Sequence, residues 1–310
     1  TSKPFDEVAN LWLTGIERSI APKTVINYRS NFHGKVVPHF GKQDIGSIKL
    51  EDIEKLKHQL IDKGLNPKTI NKVMTMIRQI FTFGLERGYI QNLPFQKSLL
   101  METTKPEFQY FEEWEIRLLL SDKMNPIFPI LFLTLHTGMR LGEVTGLCWD
   151  KVNFGSNRIE ITRTLNARNL LRNQTKSGRS RYFPMSPTLK AFLLDLRNRQ
   201  RDPRFVFVNE NGQSFCPDHF CQRFFKPHCK RVGVRQLRFH DLRHTFASHF
   251  MMKGGNVWEL KDLLGHSDFT MTQIYTHMSQ QHLEKAAGIV DFGISFGQEK
   301  ADGSFLALAK

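Results

Sequence analysis

The sequence predicts a mainly α protein of two domains, with a small β-sheet or hairpin in the second. Three observations carry that expectation. Apolar residues recur at steps of three and four through most of the first hundred positions. Short apolar–polar alternation is confined to the second half, at Arg158-Ile159-Glu160-Ile161 and Arg181-Tyr182-Phe183, with a further short strand at Phe205-Val206-Phe207-Val208. Between the halves, residues 96–107 lack periodicity and hold Lys97, Lys105 and Pro106, with Pro94 just before them. The expected layout is therefore a helical domain at 1–95, a linker at 96–107, a second domain at 108–290 and a tail at 291–310.

In the first domain, Phe5, Val8, Trp12 and Ile16 form one apolar stripe. A second helix starts near Pro22, a residue suited to a first helical turn, and carries Val25, Tyr28 and Phe32 on one side. A third follows Leu50 with Ile53, Leu56 and Leu60. The fourth opens at Asn66-Pro67, runs through Ile70, Val73, Ile77, Ile80 and Phe81, and stops at Arg87-Gly88. Four such helices make a compact unit. Lys23, Arg29, Lys35, Lys68, Lys72, Arg78 and Arg87 are spread over them, as a phosphate-tracking face or as an ordinary solvated surface.

The 310 residues carry a formal charge of +14, and an excess of that size favours a polyanionic partner, nucleic acid being the commonest. No apolar run is long enough to span a bilayer, and no charged-then-apolar leader opens the chain, which starts at Thr1 rather than Met. A cytoplasmic location follows as the expectation. The four cysteines, Cys148, Cys216, Cys221 and Cys229, show no paired framework and suit a reducing compartment. Cys216, His219, Cys221, His228 and Cys229 are close in sequence, but without paired Cys-x-x-Cys knuckles they read as a helix face, and no metal is expected.

In the second domain, Glu112–Leu120 and Phe128–Leu135 read as helices leading into Thr137-Gly138-Met139-Arg140-Leu141-Gly142-Glu143. Gly138 permits a tight turn, and Arg140 then opens the next helix, where amide donors already favour an anion. Glu143, three residues on, can steady that guanidinium. The two alternating segments bracket a turn at Ser177-Gly178, and Arg163, Arg168, Arg172, Lys176, Arg179 and Arg181 accumulate there with no acidic residue after Glu160. Such a hairpin is a natural probe for a DNA groove, and Lys176 near its tip can also donate a proton. Helices from Pro187 and from Pro217 to Val232 lead back to the densest motif.

That motif runs from His240 to His277. His240 and Arg243 lie three apart near the start of an apolar-striped helix; a second helix, Val257–Leu264, has Asn256 as N-cap and Gly265 as stop, leaving His266 just beyond. A third short helix carries Tyr275 among Thr272, Gln273, Thr276 and His277, a polar neighbourhood. Taken singly, each histidine reads as a helix-surface residue and Tyr275 as packing. Together, two imidazoles, a guanidinium and a phenol suit chemistry on a phosphodiester, with donors for the anionic oxygens, a proton carrier and a hydroxyl nucleophile. A last helix is expected at His282–Ile289, and Phe292, Ile294, Phe296 and Phe305–Leu308 could dock on a neighbouring subunit.

The Thr-Gly-Met-Arg-Leu-Gly-Glu stretch at 137–143, the lysine hairpin at Lys176, His-Asp-Leu-Arg-His-Thr-Phe-Ala-Ser at 240–248, Leu-Gly-His at 264–266 and Tyr-Thr-His at 275–277 resemble, in order and spacing, the signatures of tyrosine recombinases of the phage-integrase family. The resemblance covers nearly the whole chain. It implies a tyrosine-recombinase catalytic domain behind a four-helix, SAM-like core-binding domain, the two closing on DNA as a clamp. Arg140 and Arg243 would hold the scissile phosphate, Tyr275 would attack phosphorus, His240 would take the phenolic proton, Lys176 would protonate the departing 5′ oxygen, His266 would bond the phosphate and Glu143 would support the site. The product would be a 3′-phosphotyrosyl link and a free 5′ hydroxyl, with neither metal nor nucleotide triphosphate required. It further implies double-stranded recombination sites as partner, a homotetramer on two of them with the tail exchanged between protomers, a monomer or weak oligomer when free, a Holliday junction, and room for accessory DNA-bending proteins. Lys23, Arg29, Lys68, Lys72, Arg78, Arg163, Arg172, Arg179 and Arg181 are the expected DNA contacts.

Integration or excision of a mobile element is the expected role, favoured by the basic linker and by an arm-binding module that would stand upstream of Thr1. A Xer-like dimer resolvase is the alternative within the family. A type IB topoisomerase shares the chemistry but not the helical first domain; a non-catalytic DNA-binding regulator would not keep every catalytic side chain; a metal nuclease would want a carboxylate cluster beside the histidines.

Overall fold

The computed structural model describes residues 3–103, 108–166, 170–173, 180–199, 202–209 and 211–278. The chain divides into two compact units, Thr1–Pro106 and Glu107–Lys310. Lys176, Arg179, the Ser177-Gly178 turn, the helix expected at His282–Ile289 and the 291–310 tail fall outside the described residues.

The first unit is helical. Helix α1 (Phe5–Ile16) and α2 (Pro22–Asn31) are followed by a π-helical turn at Phe32–Val36 that runs directly into α3 (Val37–Phe40). Helix α4 (Leu50–Asp62) and the long α5 (Pro67–Glu86) complete it, α5 starting where the Asn66 side chain accepts the Lys68 N–H at 2.8 Å. The apolar stripes read from the sequence converge. Phe5 meets Phe40 and Phe81 with ring centroids 5.6 Å apart, over Ile53, Leu56, Ile70, Ile77 and Ile80. Burying each such side chain contributes about 2 kcal/mol. The expected linker is corrected at its start, because residues up to Met101 are fastened to this unit. Leu99 is buried in its core, and Asn71 exchanges two 2.8 Å hydrogen bonds with the Met101 backbone.

The second unit surrounds a large core with helices and a small sheet. Helices α6 (Glu113–Leu119), α7 (Phe128–Thr137) and α8 (Leu141–Thr145) precede strands β1 (Val152–Asn153), β2 (Arg158–Ile161), β3 (Thr164–Leu165), β4 (Leu171–Arg172) and β5 (Arg181–Pro184). Strands β1, β2 and β5 form one antiparallel sheet, with Ile159 opposite Phe183; β3 and β4 form a separate ladder between β2 and β5 in the chain. The expected strand at 205–208 is reduced to isolated bridges, Cys148 to Phe205 and Val208 to Ser214.

Helix α9 (Pro187–Arg199) adds Leu189 and Leu193 to the core that also holds Ile159 and Phe183, and the helix expected from Pro217 to Val232 is three joined pieces, α10 (Pro217–Phe220), a π-helical turn at Cys221–Phe225 and α11 (Lys226–Val232). Phe220, Phe225 and Cys229 bury there, and His228 bonds the Leu119 carbonyl through Nε2, so this face serves the core as expected. Helices α12 (Asp241–Met252), α13 (Val257–Leu264) and α14 (Thr270–Gln273) follow, with a 3-10 turn at Thr276–Met278. Thr245 on α12 accepts the Phe111 N–H at 2.9 Å, and His249 bonds the Phe111 carbonyl, pinning the entry of the unit against α12.

Candidate active site

The site forms where α7, α8, β5, α12 and α13 meet. Gly138 ends α7 in the left-handed region at φ 63°, and a Cβ there would lie 2.7 Å from both Leu264 and Phe246. Its carbonyl faces inward and accepts from Arg243 Nη1 at 2.8 Å; Arg243 Nη2 donates to the Leu264 carbonyl at 2.7 Å. Arg243 is therefore fixed between the ends of two helices, 2 % exposed.

Arg140 begins α8. Its backbone N–H donates to Glu143 Oε2 at 3.0 Å and its Nη1 to Glu143 Oε1 at 3.0 Å. The spacing anticipated that pair, but the pair is not a surface one. Glu143 is 2 % exposed, and a second guanidinium grips it, Arg181 donating through Nη1 and Nη2 at 3.1 and 2.8 Å while Nε reaches the Leu263 carbonyl. Arg181, expected to contact DNA, is thereby corrected. Its side chain is 7 % exposed, and Nε, Nη1 and Nη2 are all engaged by the protein. Desolvation pushes the Glu143 carboxyl up, and Arg181 and Arg140 outweigh it, holding the group down at about 2.

Burial, with Arg140 next, pushes Arg243 down to about 9, so it stays charged at neutral pH. His266 stands one residue past the Gly265 stop, its Nδ1 2.8 Å from Thr272 Oγ1, and burial with the nearby Arg243 and Arg140 lowers it to about 3. His240 occupies the N-cap position of α12; loss of water contact, then His244, Arg243 and Arg140, lower it to about 4. Both imidazoles are neutral at pH 7, and each can donate one hydrogen bond and accept another.

Tyr275 departs from expectation. It lies between α14 and the 3-10 turn rather than on a helix, and its ring is 1 % exposed, packed with Ala247, Met251, Leu260 and Leu264. Of its polar neighbours in sequence, Thr272 bonds His266 and Thr276 bonds the Gln273 carbonyl. Burial lifts its phenol to about 12, against the pull of Arg243. Its hydroxyl meets His244 Nδ1 at 2.6 Å. The expected base, His240, is not the imidazole on the phenol. His244 was missed, although its place four residues after His240 on one helix puts the two rings side by side, centroids 5.2 Å apart.

The remaining basic residues are more dispersed. Lys23, Arg29, Lys68, Lys72, Arg78 and Arg172 are exposed; Arg29 pairs with Glu17 at 3.1 Å, Arg78 lies over the Phe95 ring, and Arg163 pairs with Asp150 at 2.8 Å. Among the described residues no three His, Cys, Asp or Glu side chains form a metal-ligating group, and no helix is long and apolar enough to cross a membrane.

A helical first unit followed along the chain by a mainly helical unit with a small sheet is the arrangement of one class of DNA-processing enzyme. The phage integrase family model matches residues 118–282, and the phage integrase central domain model matches residues 5–98. The chain belongs to that family and is a tyrosine recombinase, an enzyme of DNA strand transfer. It is 25 % identical to tyrosine recombinase XerC of Oceanobacillus iheyensis over 293 residues, covering 87 % of this chain and 90 % of that one. It is 29 % identical to tyrosine recombinase XerD of Lacticaseibacillus casei over 245 residues, covering 74 % and 78 %. The fold is shared with the Tn1549 transposon integrase in complex with a circular intermediate DNA, at TM-score 0.76 and 20 % identity over 91 % of this chain and 99 % of that one. It is shared also with a lambda integrase dimer bound to a COC′ core site, at TM-score 0.71 and 16 % identity over 89 % and 78 %.

Proposed function

We propose that this site-specific recombinase integrates or excises a mobile genetic element, cleaving each strand through a 3′-phosphotyrosyl link to Tyr275. One observation carries the chemistry. Around Arg243, the guanidiniums of Arg140 and Arg181 face a single carboxylate, Glu143, among the described residues. Buried positive charge left over in that way calls for an anion, and the scissile phosphate supplies it.

Arg140 and Arg243 hold the non-bridging oxygens and stabilise the charge of the pentavalent transition state. His266, its Nδ1 engaged by Thr272, offers Nε2 to the phosphate, and His240 at the head of α12 adds a second hydrogen bond. Attack requires a local shift of the turn carrying Tyr275 that brings its hydroxyl onto phosphorus with His244 still within hydrogen-bond reach. Lys176 protonates the 5′ oxygen as it departs. The freed 5′ hydroxyl then attacks the partner's link, so bond energy is conserved and exchange proceeds through a Holliday junction in a tetramer. Lys23, Arg29, Lys68, Lys72, Arg78, Arg163, Arg172 and Arg179 are assigned to the DNA backbone, with Glu143 and Arg181 as supports of Arg140.

The shared fold with the Tn1549 and lambda integrases supports the mobile-element role. The sequence likeness to XerC and XerD supports a second reading, resolution of chromosome or plasmid dimers. Cleavage mapped on DNA flanking the gene separates them, since a mobile-element enzyme acts beside its own coding region. For the chemistry, a nicked suicide duplex should trap wild type as a covalent adduct, and Tyr275→Phe should give none while binding DNA nearly as well. An undiminished adduct from Tyr275→Phe would overturn the assignment.

A further inference from the structure

His244 is the hydrogen-bond partner of the Tyr275 hydroxyl among the described residues, at 2.6 Å from Nδ1 to Oη. Phe108 stacks on its imidazole, centroids 5.4 Å apart at 26°, and meets the Tyr275 ring edge-on at 4.9 Å. The oxygen–nitrogen pair is thus roofed by an aromatic ring and half-withdrawn from water, so solvent is poorly placed to take the phenolic proton. We propose that His244 is the proton acceptor for Tyr275, holding the phenol in the resting enzyme and taking its hydrogen during attack on phosphorus. This rests on the recombinase reading above and changes one part of it, the identity of the base.

The other two imidazoles are placed for the phosphate. His266 Nδ1 is occupied by Thr272, and His240 sits at the N-cap of α12 with its ring against that of His244. Transfer cannot precede attack, because burial lifts the phenol to about 12 and lowers His244 from its ordinary range. At rest the phenol donates to Nδ1 of a neutral imidazole that carries its own hydrogen on Nε2. As the Oη–phosphorus bond forms, the phenolic oxygen loses basicity and its proton passes to Nδ1. The phosphorus–O5′ bond breaks with its electron pair on O5′, which takes a proton from Lys176. Rejoining reverses each transfer: the entering 5′ hydroxyl returns a proton to the lysine, and Nδ1 returns one to the departing phenolate.

The charges facing His244 are Asp241, which favours its protonation, and Arg238 and Arg243, which oppose it; His240 and Tyr275 complete its titratable neighbours. A base must be neutral to act, so the wild-type cleavage rate should fall as pH drops through the lowered pKa of His244, below 6.5.

The test is single-turnover cleavage of a nicked suicide duplex by His244→Asn and His244→Gln, each able to keep a hydrogen bond but unable to accept the proton. Both should bind DNA within about twofold of wild type and cleave roughly 10²–10³-fold more slowly, the range for loss of a general base. Their rates should climb with pH as hydroxide ionises the phenol, whereas wild type is flat above neutrality. On a 5′-bridging phosphorothiolate, whose leaving group needs no acid, the deficit should persist. Cleavage at the wild-type rate by either variant, or a deficit erased by the phosphorothiolate, would overturn the proposal and leave Tyr275 as nucleophile. Loss of the adduct's dependence on Tyr275 would instead defeat the recombinase reading. If both variants fail to fold, the wild-type profile decides: no fall in rate below pH 6.5 excludes His244.

Discussion

Glu143 holds Arg140 through one carboxylate oxygen at 3.0 Å while Arg181, from a strand far along the chain, clasps both oxygens at 3.1 and 2.8 Å. The carboxylate that orients Arg140 is itself oriented by another arginine. Breaking one partner out of so buried a pair generally costs about 3 kcal/mol or more.

Arg181→Ala should therefore lower the melting temperature and slow cleavage, without changing how steeply DNA affinity falls with salt. A side chain that neutralises a phosphate behaves oppositely, since removing it reduces the salt slope by about one. Affinity against salt concentration, measured for both proteins, checks this.

Stability should decline with acid in two stages. His266 and His240 titrate near 3 and 4 in the folded chain against 6.5 unfolded, so they take up protons on unfolding; their contribution is complete above pH 6.5 and is lost as pH falls toward those values. Glu143, held at about 2 against 4.5, adds stability above pH 4.5 that disappears as pH falls through 2. Urea melts from pH 7.5 to 3 should show the decline beginning near 6.5, and Glu143→Gln should shrink the lower stage, to which the Arg235-paired Glu115 also contributes.

Gly138→Ala should cost at least about 1 kcal/mol, because alanine resists φ 63° and its Cβ would strike Leu264 and Phe246 at 2.7 Å. The same shift moves the carbonyl that holds Arg243, so cleavage should fall more than folding stability alone accounts for. Rates measured well below the melting temperature separate the two effects.

Much of this was legible in the chain because local chemistry decides it. The Asn66 and Asn256 caps, the Gly138 and Gly265 stops and the Arg140–Glu143 spacing act within one or two turns, and each forms where the residue types place it. Tyr275 was misread for the opposite reason: its sequence neighbours are polar, but Ala247, Met251, Leu260 and Phe108 close over the ring from elsewhere in the fold. Arg181 looks the same in a basic hairpin whether it meets DNA or a distant buried carboxylate. His244 went unnoticed beside the motif residues because only the folded turn after α14 brings Oη to its nitrogen.

If the two guanidiniums act as proposed, Arg140→Lys and Arg243→Lys should each slow cleavage by at least about a hundredfold while DNA affinity changes little, since a point charge cannot reproduce a bidentate fork on the transition state. Single-turnover rates beside binding isotherms check this, and a parallel fall in both would reduce these residues to ordinary phosphate ligands.

The most direct measurement is the chemical identity of the bond to DNA. Wild-type protein trapped on a nicked duplex, digested and mapped by mass spectrometry, should yield one modified peptide, with Tyr275 esterified to a 3′ phosphate, and a released strand ending in a 5′ hydroxyl. A nucleotide on any other side chain, or a link through a 5′ phosphate, would contradict it.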